Sequence, residues 1–483
     1  MKVLVVGSGA REHALAWRLG LDGVQVLVAP GNGGTPNAFA VAATDIEGLV
    51  ELAQRERVDV TIVGPEGPLA MGIVDAFVER GMAVFGPTRA AAQLEWSKGW
   101  AKDFFRRHDI PTADAEIVGS EVEARRAVAR VGLPVVLKAD GLAAGKGVFV
   151  VATASEVDAA LQQLFGHLGA AAEHVLVEEL LTGPELSVLA FADGERLAVM
   201  PPARDYKRLL DDDHGPNTGG MGGYTWPSYA TAYLLEDVEQ RILRPTLAGM
   251  AAEGQPYRGV LYAGLMLTAD GPKVLEYNCR FGDPECQLIL PLLSSSLAET
   301  CLSVAAGGLQ PADVRWGNAR TFGVVLAAPG YPDAPRLGDI IDGLDELADG
   351  VLTFHAGTRR AAPEDPSDGN GRLVISGGRV LTVVGTDRAA VYAAAETIAF
   401  GGKQFRSDIG RDEANHIPND GEVSQERGII DPRDGEVSQE TGIIDPRDGE
   451  VSQESGIIDR KDGEVSQERP VAVTAIGVRG GPR

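Results

Sequence analysis

Lys138 and Lys146 bracket a glycine-rich loop, Asp140-Gly141-Leu142-Ala143-Ala144-Gly145-Lys146-Gly147, between the apolar runs Val135–Ala139 and Gly147–Val151. The loop is not a P-loop. Only three residues separate Gly141 from Gly145, Gly147 stands where Ser or Thr would bind magnesium, and a strand follows rather than a helix. A hairpin folding over a triphosphate, with Lys138 below and Lys146 in the lid, fits these residues. The alternative is a surface hairpin with solvated lysines, against which Lys138 argues: an ammonium at the end of an apolar strand is costly without a partner. Glu276 and Asn278 stand two apart on the strand Val274–Asn278, which puts them on one face and Leu275 and Tyr277 on the other. A carboxylate and an amide oxygen suit a hard cation that takes its remaining ligands from phosphates. Arg280-Phe281-Gly282-Asp283-Pro284-Glu285 follows directly. The Arg280 fork could grip a small carboxylate with two parallel hydrogen bonds, or pair with Asp283 or Glu285 to hold the turn.

Other segments add polar groups. Gly7-Ser8-Gly9-Ala10-Arg11-Glu12 opens a helix after a strand, where backbone N–H groups and the helix dipole attract an anion. Glu12 stands where a dinucleotide fingerprint wants Gly or Ala, so a phosphate-bearing substrate fits better than a nicotinamide cofactor; a tight turn without ligand is the equal alternative. Asn32-Gly33-Gly34-Thr35 and Gly64-Pro65-Glu66-Gly67-Pro68 also follow strands, and parallel strands place such loops at one crevice. Backbone groups beside Glu178 in Val175–Leu181 could read an adenine edge, and Glu185 could hold ribose hydroxyls, or the strand ends in a solvated acidic loop. Asp205-Tyr206-Lys207-Arg208 and Gly215–Gly223 form a long polar insert of the kind that is functional or disordered. No Ser/His/Asp or Cys/His nucleophilic set is present.

These groups need positioning elements. Apolar runs Lys2–Val6, Val24–Ala29, Val58–Val63 and Ala83–Phe85 alternate with helical segments Ala10–Leu19, Ile46–Glu56 and Gly67–Arg80, which predicts parallel βαβ units. From Lys98 the rhythm changes to helices Lys98–His108, Ser120–Val131, Ser155–Phe165 and Leu234–Glu253. Strands are expected at Val135–Ala139, Gly147–Val151, His174–Glu178, Leu186–Phe191, Gly259–Thr268 and Lys273–Asn278, with Pro201–Pro227 as loop. A third block has strands Thr321–Ala327, Leu373–Ile375 and Val380–Val384 and a helix Arg388–Ala399. The end of the chain repeats Asp-Gly-Glu-Val-Ser-Gln-Glu every 14 residues from Asp420. Each copy offers little to bury, which predicts a disordered acidic tail; EF-hand spacing is absent.

The 483 residues carry a net charge of −25. That argues against nucleic acid and anionic membranes as partners, but not against a small anion in a local pocket. No apolar run approaches the ~20 residues of a membrane span. The first residues run from a short apolar stretch into a glycine turn, unlike a signal peptide, and three cysteines without pairing suggest a reduced, cytoplasmic protein.

Taken together, Val5–Ala14, Leu137–Gly147, Gly215–Gly222 and Leu275–Glu285 resemble the phosphoribosylamine–glycine ligase family (glycinamide ribonucleotide synthetases) of ATP-grasp enzymes, over roughly residues 1–411. The resemblance implies a multidomain α/β and α+β chain. Its parts would be an N-terminal parallel-sheet domain (1–97), a central ATP-grasp domain (98–318), a small C-terminal α+β domain (319–411) and the tail (412–483). It implies ATP-dependent joining of glycine to 5-phosphoribosylamine through glycyl phosphate, by a monomer, with Mg2+ or Mn2+. Carried over by motif, Lys98 and Lys138 hold ATP phosphates, Glu178, Glu179 and Leu180 form the adenine hinge, and Glu185 contacts ribose. Glu276 and Asn278 ligate the metal. Asp205 and Arg280 hold the two ends of glycine, with Gly219 and Gly220 nearby, while Gly9, Asn32, Gly33 and Gly34 meet the sugar. Tyr206 stands where the family pattern has His.

Overall fold

A computed structural model describes residues 1–141, 147–362 and 371–413. Lys146 and the repeats expected to be disordered fall outside these residues. The N-terminal strands β1 (Lys2–Gly7), β2 (Gln25–Pro30), β3 (Val60–Val63) and β4 (Val84–Phe85) form a parallel sheet in the order β2-β1-β3-β4. Val3 to Val6 are fully buried, as parallel strands covered on both faces require. The expected single helix Gly67–Arg80 is two, Glu66–Ala70 and Ile73–Glu79, because Gly72 between them takes a left-handed φ of 87°.

Strands β5 (Ala115–Val118), β6 (Val135–Ala139), β7 (Val148–Val151) and β8 (Val175–Glu179) make a second, antiparallel sheet, β5-β8-β6-β7. Next come β9 (Glu185–Asp193), β10 (Leu197–Val199), β11 (Ala203–Asp205), β12 (Arg208–Leu210), β13 (His214–Asn217) and β14 (Gly222–Thr225). The segment expected as loop, Pro201–Pro227, therefore carries four short strands, whose polar and glycine-rich sequence hides them from a hydrophobic-pattern reading. The helix expected over Leu234–Glu253 is Ala232–Val238, a π turn Glu239–Leu243 and Arg244–Ala252. Pro245 lies just beyond the π turn, and its missing N–H cannot continue the regular ladder.

Strands β15 (Arg258–Thr268), β16 (Gly271–Asn278), β17 (Phe322–Ala327), β18 (Leu352–His355), β19 (Thr358–Arg360), β20 (Leu373–Ile375) and β21 (Arg379–Gly385) complete the set. One large sheet runs β16-β15-β9-β11-β14-β17-β21-β18, with β10 on β9. It is continuous from the middle of the chain into the C-terminal segment through β14 and β17, where Gly222 faces Val324 and Gly223 faces Gly323. A Cβ on Gly222 would stand 2.3 Å from the Gly323 carbonyl oxygen, and one on Gly223 would stand 2.2 Å from that of Arg204. Two glycines are what let β14 lie between β11 and β17.

The tail was expected from Asp412, yet Glu413 is buried, accepting hydrogen bonds from Ser228 N (3.0 Å) and Oγ (2.8 Å) and pairing with Arg320 (3.1 Å). A chain ending at Glu413 is expected to keep the urea midpoint and activity of the full chain. One ending at Arg411 should lose roughly 1.5–3 kcal/mol, the scale of a hydrogen bond to a charged group. Equal midpoints for the two truncations would refute the anchoring role of Glu413.

Candidate active site

Ser97 caps the helix Lys98–Arg107, its Oγ accepting from Trp100 N. Asp140, just after β6, accepts from Gly99 N (2.6 Å) and ties that helix start to the glycine-rich loop. Lys98 Nζ reaches Gly141 O (3.4 Å). Burial lowers the Lys98 pKa against the opposing pull of Glu276, with Lys138 adding to the depression. Lys138 pairs with Glu178 at 2.7 Å. Glu178 is 2% exposed and also meets Lys102 at 3.3 Å. So the buried lysine has its partner within the protein, and the Glu178 side chain turns inward between two ammonium groups. Sequence reasoning missed Lys102, which also donates to Thr112 Oγ1 and Ala113 O; its only signal is a second lysine one helical turn after Lys98. Glu179 points outward, bonding Lys273 (3.4 Å) and Asp114 N (3.1 Å). The Leu180 N–H and C=O make no hydrogen bond among the described residues, leaving an open donor and acceptor at the end of β8.

On β16 a bulge opposite Gly264/Leu265 breaks the expected alternation. Val274 and Tyr277 are buried, Leu275 is the extra residue, and Glu276 and Asn278 remain half-buried. Burial raises the Glu276 pKa, but Lys207, Lys98, Lys138 and Arg280 outweigh it and hold the carboxyl ionised below its usual range. Arg280 does not pair with Asp283 or Glu285. Its Nε meets Glu66 (3.2 Å), one terminal nitrogen meets both Glu95 (3.0 Å) and Asn278 Oδ1 (3.0 Å), and the other donates to Phe281 O (3.3 Å). These bonds leave one N–H of the five for a ligand, not the two-pronged fork expected.

Asp205 ends β11. Its Oδ1 is buried and has no hydrogen-bond partner among the described residues. Burial and the neighbouring Glu285 push its pKa well above the ordinary range, against the pull of Lys207. Gly220, at φ 110°, lies so close that a Cβ there would be 2.9 Å from Asp205 Oδ1. Lys207, which the sequence reading left without a role, pairs with Glu185 at 2.9 Å and contributes to the field at Glu276. Glu185 thus shares the neighbourhood of Asp205 and Lys207. Tyr206 is buried between two guanidinium groups, Arg204 (4.8 Å) and Arg406 (4.6 Å), and accepts from Gly410 N (3.3 Å). A phenol serves here as an anchor to the backbone at Gly410.

The loop after β1 differs from the expected anion site. Glu12 folds back, accepting from Gly9 N and Arg11 Nε (2.6 Å), and is 1% exposed. Gly7 and Gly64 are glycines because a Cβ on either would overlap this side chain. Asn32 spends its amide on Ser8 O (2.9 Å), Gly9 O (3.3 Å) and His355 O (2.6 Å), and Gly33 N donates to Thr358 O (2.9 Å). Gly34 lies against the His13 and His355 rings. Gly9, Asn32, Gly33 and Gly34 therefore form a seam with β18 and β19. Beside the seam opens a cleft of about 830 Å³ whose wall includes Gly9, Gly33, Asp283, Arg359, Arg360 and Arg379. The three arginines were missed; their only signals are the Arg359-Arg360 pair and an arginine heading a strand. No group of three or more His, Cys, Asp or Glu side chains suited to a metal occurs among the described residues. None of their helices is long and apolar enough to cross a membrane.

Family models for phosphoribosylglycinamide synthetase match the chain in three parts: the N domain over residues 1–95, the ATP-grasp (A) domain over 96–286 and the C domain over 321–412. The chain belongs to this family. A phosphoribosylamine–glycine ligase of Ralstonia nicotianae is 48% identical over 424 residues, covering 85% of this chain and 99% of the relative. The crystal structure of a phosphoribosylamine–glycine ligase from Thermotoga maritima matches with a TM-score of 0.71 at 36% identity, covering 85% of this chain and 100% of that one. The biotin carboxylase domain of a Hydrogenobacter thermophilus 2-oxoglutarate carboxylase, at 18% identity and a TM-score of 0.60 over 84% of this chain and 91% of that one, shares the fold alone. As a phosphoribosylglycinamide synthetase, the chain is an ATP-dependent ligase that forms glycinamide ribonucleotide in purine biosynthesis. Its substrates are small molecules, and its family uses ATP with a divalent metal.

Proposed function

We propose that glycine lies between Asp205 and Arg280, with ATP over Lys98 and Lys138 on one side and the sugar phosphate in the arginine-lined cleft on the other. The observation that carries this reading is the buried Oδ1 of Asp205, without a hydrogen-bond partner among the described residues and roofed by a residue without a side chain. A buried carboxylate oxygen without a donor is costly, and a ligand ammonium would relieve that cost. The remaining N–H of Arg280 receives the glycine carboxylate. Leu180 offers the adenine edge its free donor and acceptor, with Glu178 and Glu179 at the same strand end and Glu185 toward the ribose.

The donor set at Glu276 and Asn278 fits a divalent cation. It has one ionised carboxylate with no hydrogen bond among the described residues, one amide oxygen, and lysines to share the phosphate charge. When bound, Mg2+ or Mn2+ there would neutralise charge on the transferring phosphoryl group. The residues then have two tasks. Lys98, Lys138 and Lys207 hold the phosphates in line with a glycine carboxylate oxygen, which attacks the γ-phosphorus; the bond to the β-phosphate oxygen breaks, ADP leaves and glycyl phosphate forms. Asp205 holds the glycine ammonium aside while the sugar amine attacks the acyl carbon and phosphate leaves. Positioning and charge neutralisation suffice for such transfers, in keeping with the absence of a nucleophilic triad. We further assign residues 1–97 to the sugar side, 98–318 to ATP and 319–411 to the cleft wall, in a cytoplasmic monomer.

Arg280→Lys tests the glycine assignment. Loss of one charge-assisted hydrogen bond costs about 1.5–3 kcal/mol, so KM for glycine should rise roughly tenfold to hundredfold while KM for ATP stays near its original value. An equal rise in both, with a lower unfolding midpoint, would reduce Arg280 to a tether for Glu66 and Glu95.

A further inference from the structure

Arg379 heads β21 in the C-terminal segment, yet its guanidinium reaches across the sheet to the amino-acid side of the site. One terminal nitrogen donates to Gly219 O, to Asp283 O (3.0 Å) and more distantly to Gly220 O (3.5 Å); the other pairs with Asp283 Oδ2 (3.1 Å). The guanidinium packs flat against Gly219, where a Cβ would stand 3.1 Å from its central carbon. A second C-terminal group, the Tyr331 hydroxyl, accepts from Gly219 N (3.0 Å). Both backbone groups of Gly219 are therefore held by this segment. Gly220 in turn abuts Asp205 Oδ1 and the Pro284 ring. On its other side, the same Arg379, with Asp283, forms part of the wall of the cleft that also contains Arg359 and Arg360.

We propose that Arg379 is a positioning residue that couples the sugar-phosphate cleft to the glycine loop. A phosphate in the cleft draws on the guanidinium and orders Asp283. The bonds from that guanidinium to Gly219 and Gly220 then set the gap above Asp205 in which the glycine ammonium sits. Binding of either ligand should tighten the other by the same factor, as linkage requires. The inference rests on the glycine site proposed above.

The test is calorimetric titration of glycine into the full chain with Mg2+ and a β,γ-imido ATP analogue, with and without saturating ribose 5-phosphate as the probe of the cleft. The probe should tighten glycine binding at least ~5-fold, the lower end of usual coupling. In Arg379→Gln the factor should fall to within about twofold of unity, with glycine binding alone weakened. Arg379→Lys, which keeps the charge but not the planar fork, should restore only part of it. If Arg379→Gln fails to fold, Tyr331→Phe removes the other tie to Gly219 and should lower the same factor. Coupling absent from the unaltered chain, or undiminished in the folded variants, overturns the proposal. Asp205→Asn separates the two failures. If it leaves glycine binding intact, the glycine site itself is misplaced. If it abolishes binding while the Arg379 variants couple normally, only the coupling role is wrong.

Discussion

Glu276→Gln is expected to lower turnover by at least ~10²–10³-fold, the scale set by removing one group that stabilises charge in a transition state. The variant keeps shape and one oxygen but loses the full charge beside the phosphates. Four cationic side chains, Lys207, Lys98, Lys138 and Arg280, hold this carboxyl ionised, so the substitution leaves them facing one another. The fold should persist with a modestly lower unfolding midpoint, and added magnesium should not restore the rate. Activity rates across a magnesium titration check this directly. Near-normal turnover at limiting magnesium would remove Glu276 from the metal site.

Asp205→Asn is expected to raise KM for glycine by two orders of magnitude or more and leave KM for ATP nearly unchanged. Removing one partner of a buried charge pair costs about 3–5 kcal/mol, or hundredfold to several thousandfold. Stability should move the other way. Burial and Glu285 raise the folded-state pKa of Asp205 well above its unfolded value near ~3.9. The folded chain thus binds more protons than the unfolded chain above that pH, and this group makes stability fall as pH rises. Asparagine has no such proton, so the variant should be at least as stable at neutral pH, with a flatter dependence above about pH 4. Glycine and ATP titrations with urea unfolding at two pH values decide the matter. A variant that is less stable at neutral pH and unchanged toward glycine would make Asp205 a structural carboxylate.

What the sequence by itself determined are the features that local pattern controls. Val135–Ala139 and Leu373–Ile375 are strands over those very residues. Ser97 begins its helix at Lys98, because a hydroxyl satisfies a free N–H wherever the apolar period starts. Glu276 and Asn278 share a strand face two residues apart. The family motifs were legible for the same reason: each lies within a dozen residues of chain. Tertiary structure decided the rest. Arg280 could be read only against its sequence neighbours Asp283 and Glu285, whereas the folded chain gives it Glu66, 214 residues away, and Glu95. Glu12 fills the turn that looked ready for an anion, because Gly64 from another loop leaves it room. The cleft arginines come from a segment with no motif of its own. A guanidinium on a long, flexible stem carries no local mark of its acceptor. Only sheet pairing from β14 through β17 to β21, which sets residues about 160 apart side by side, brings Arg379 onto Gly219.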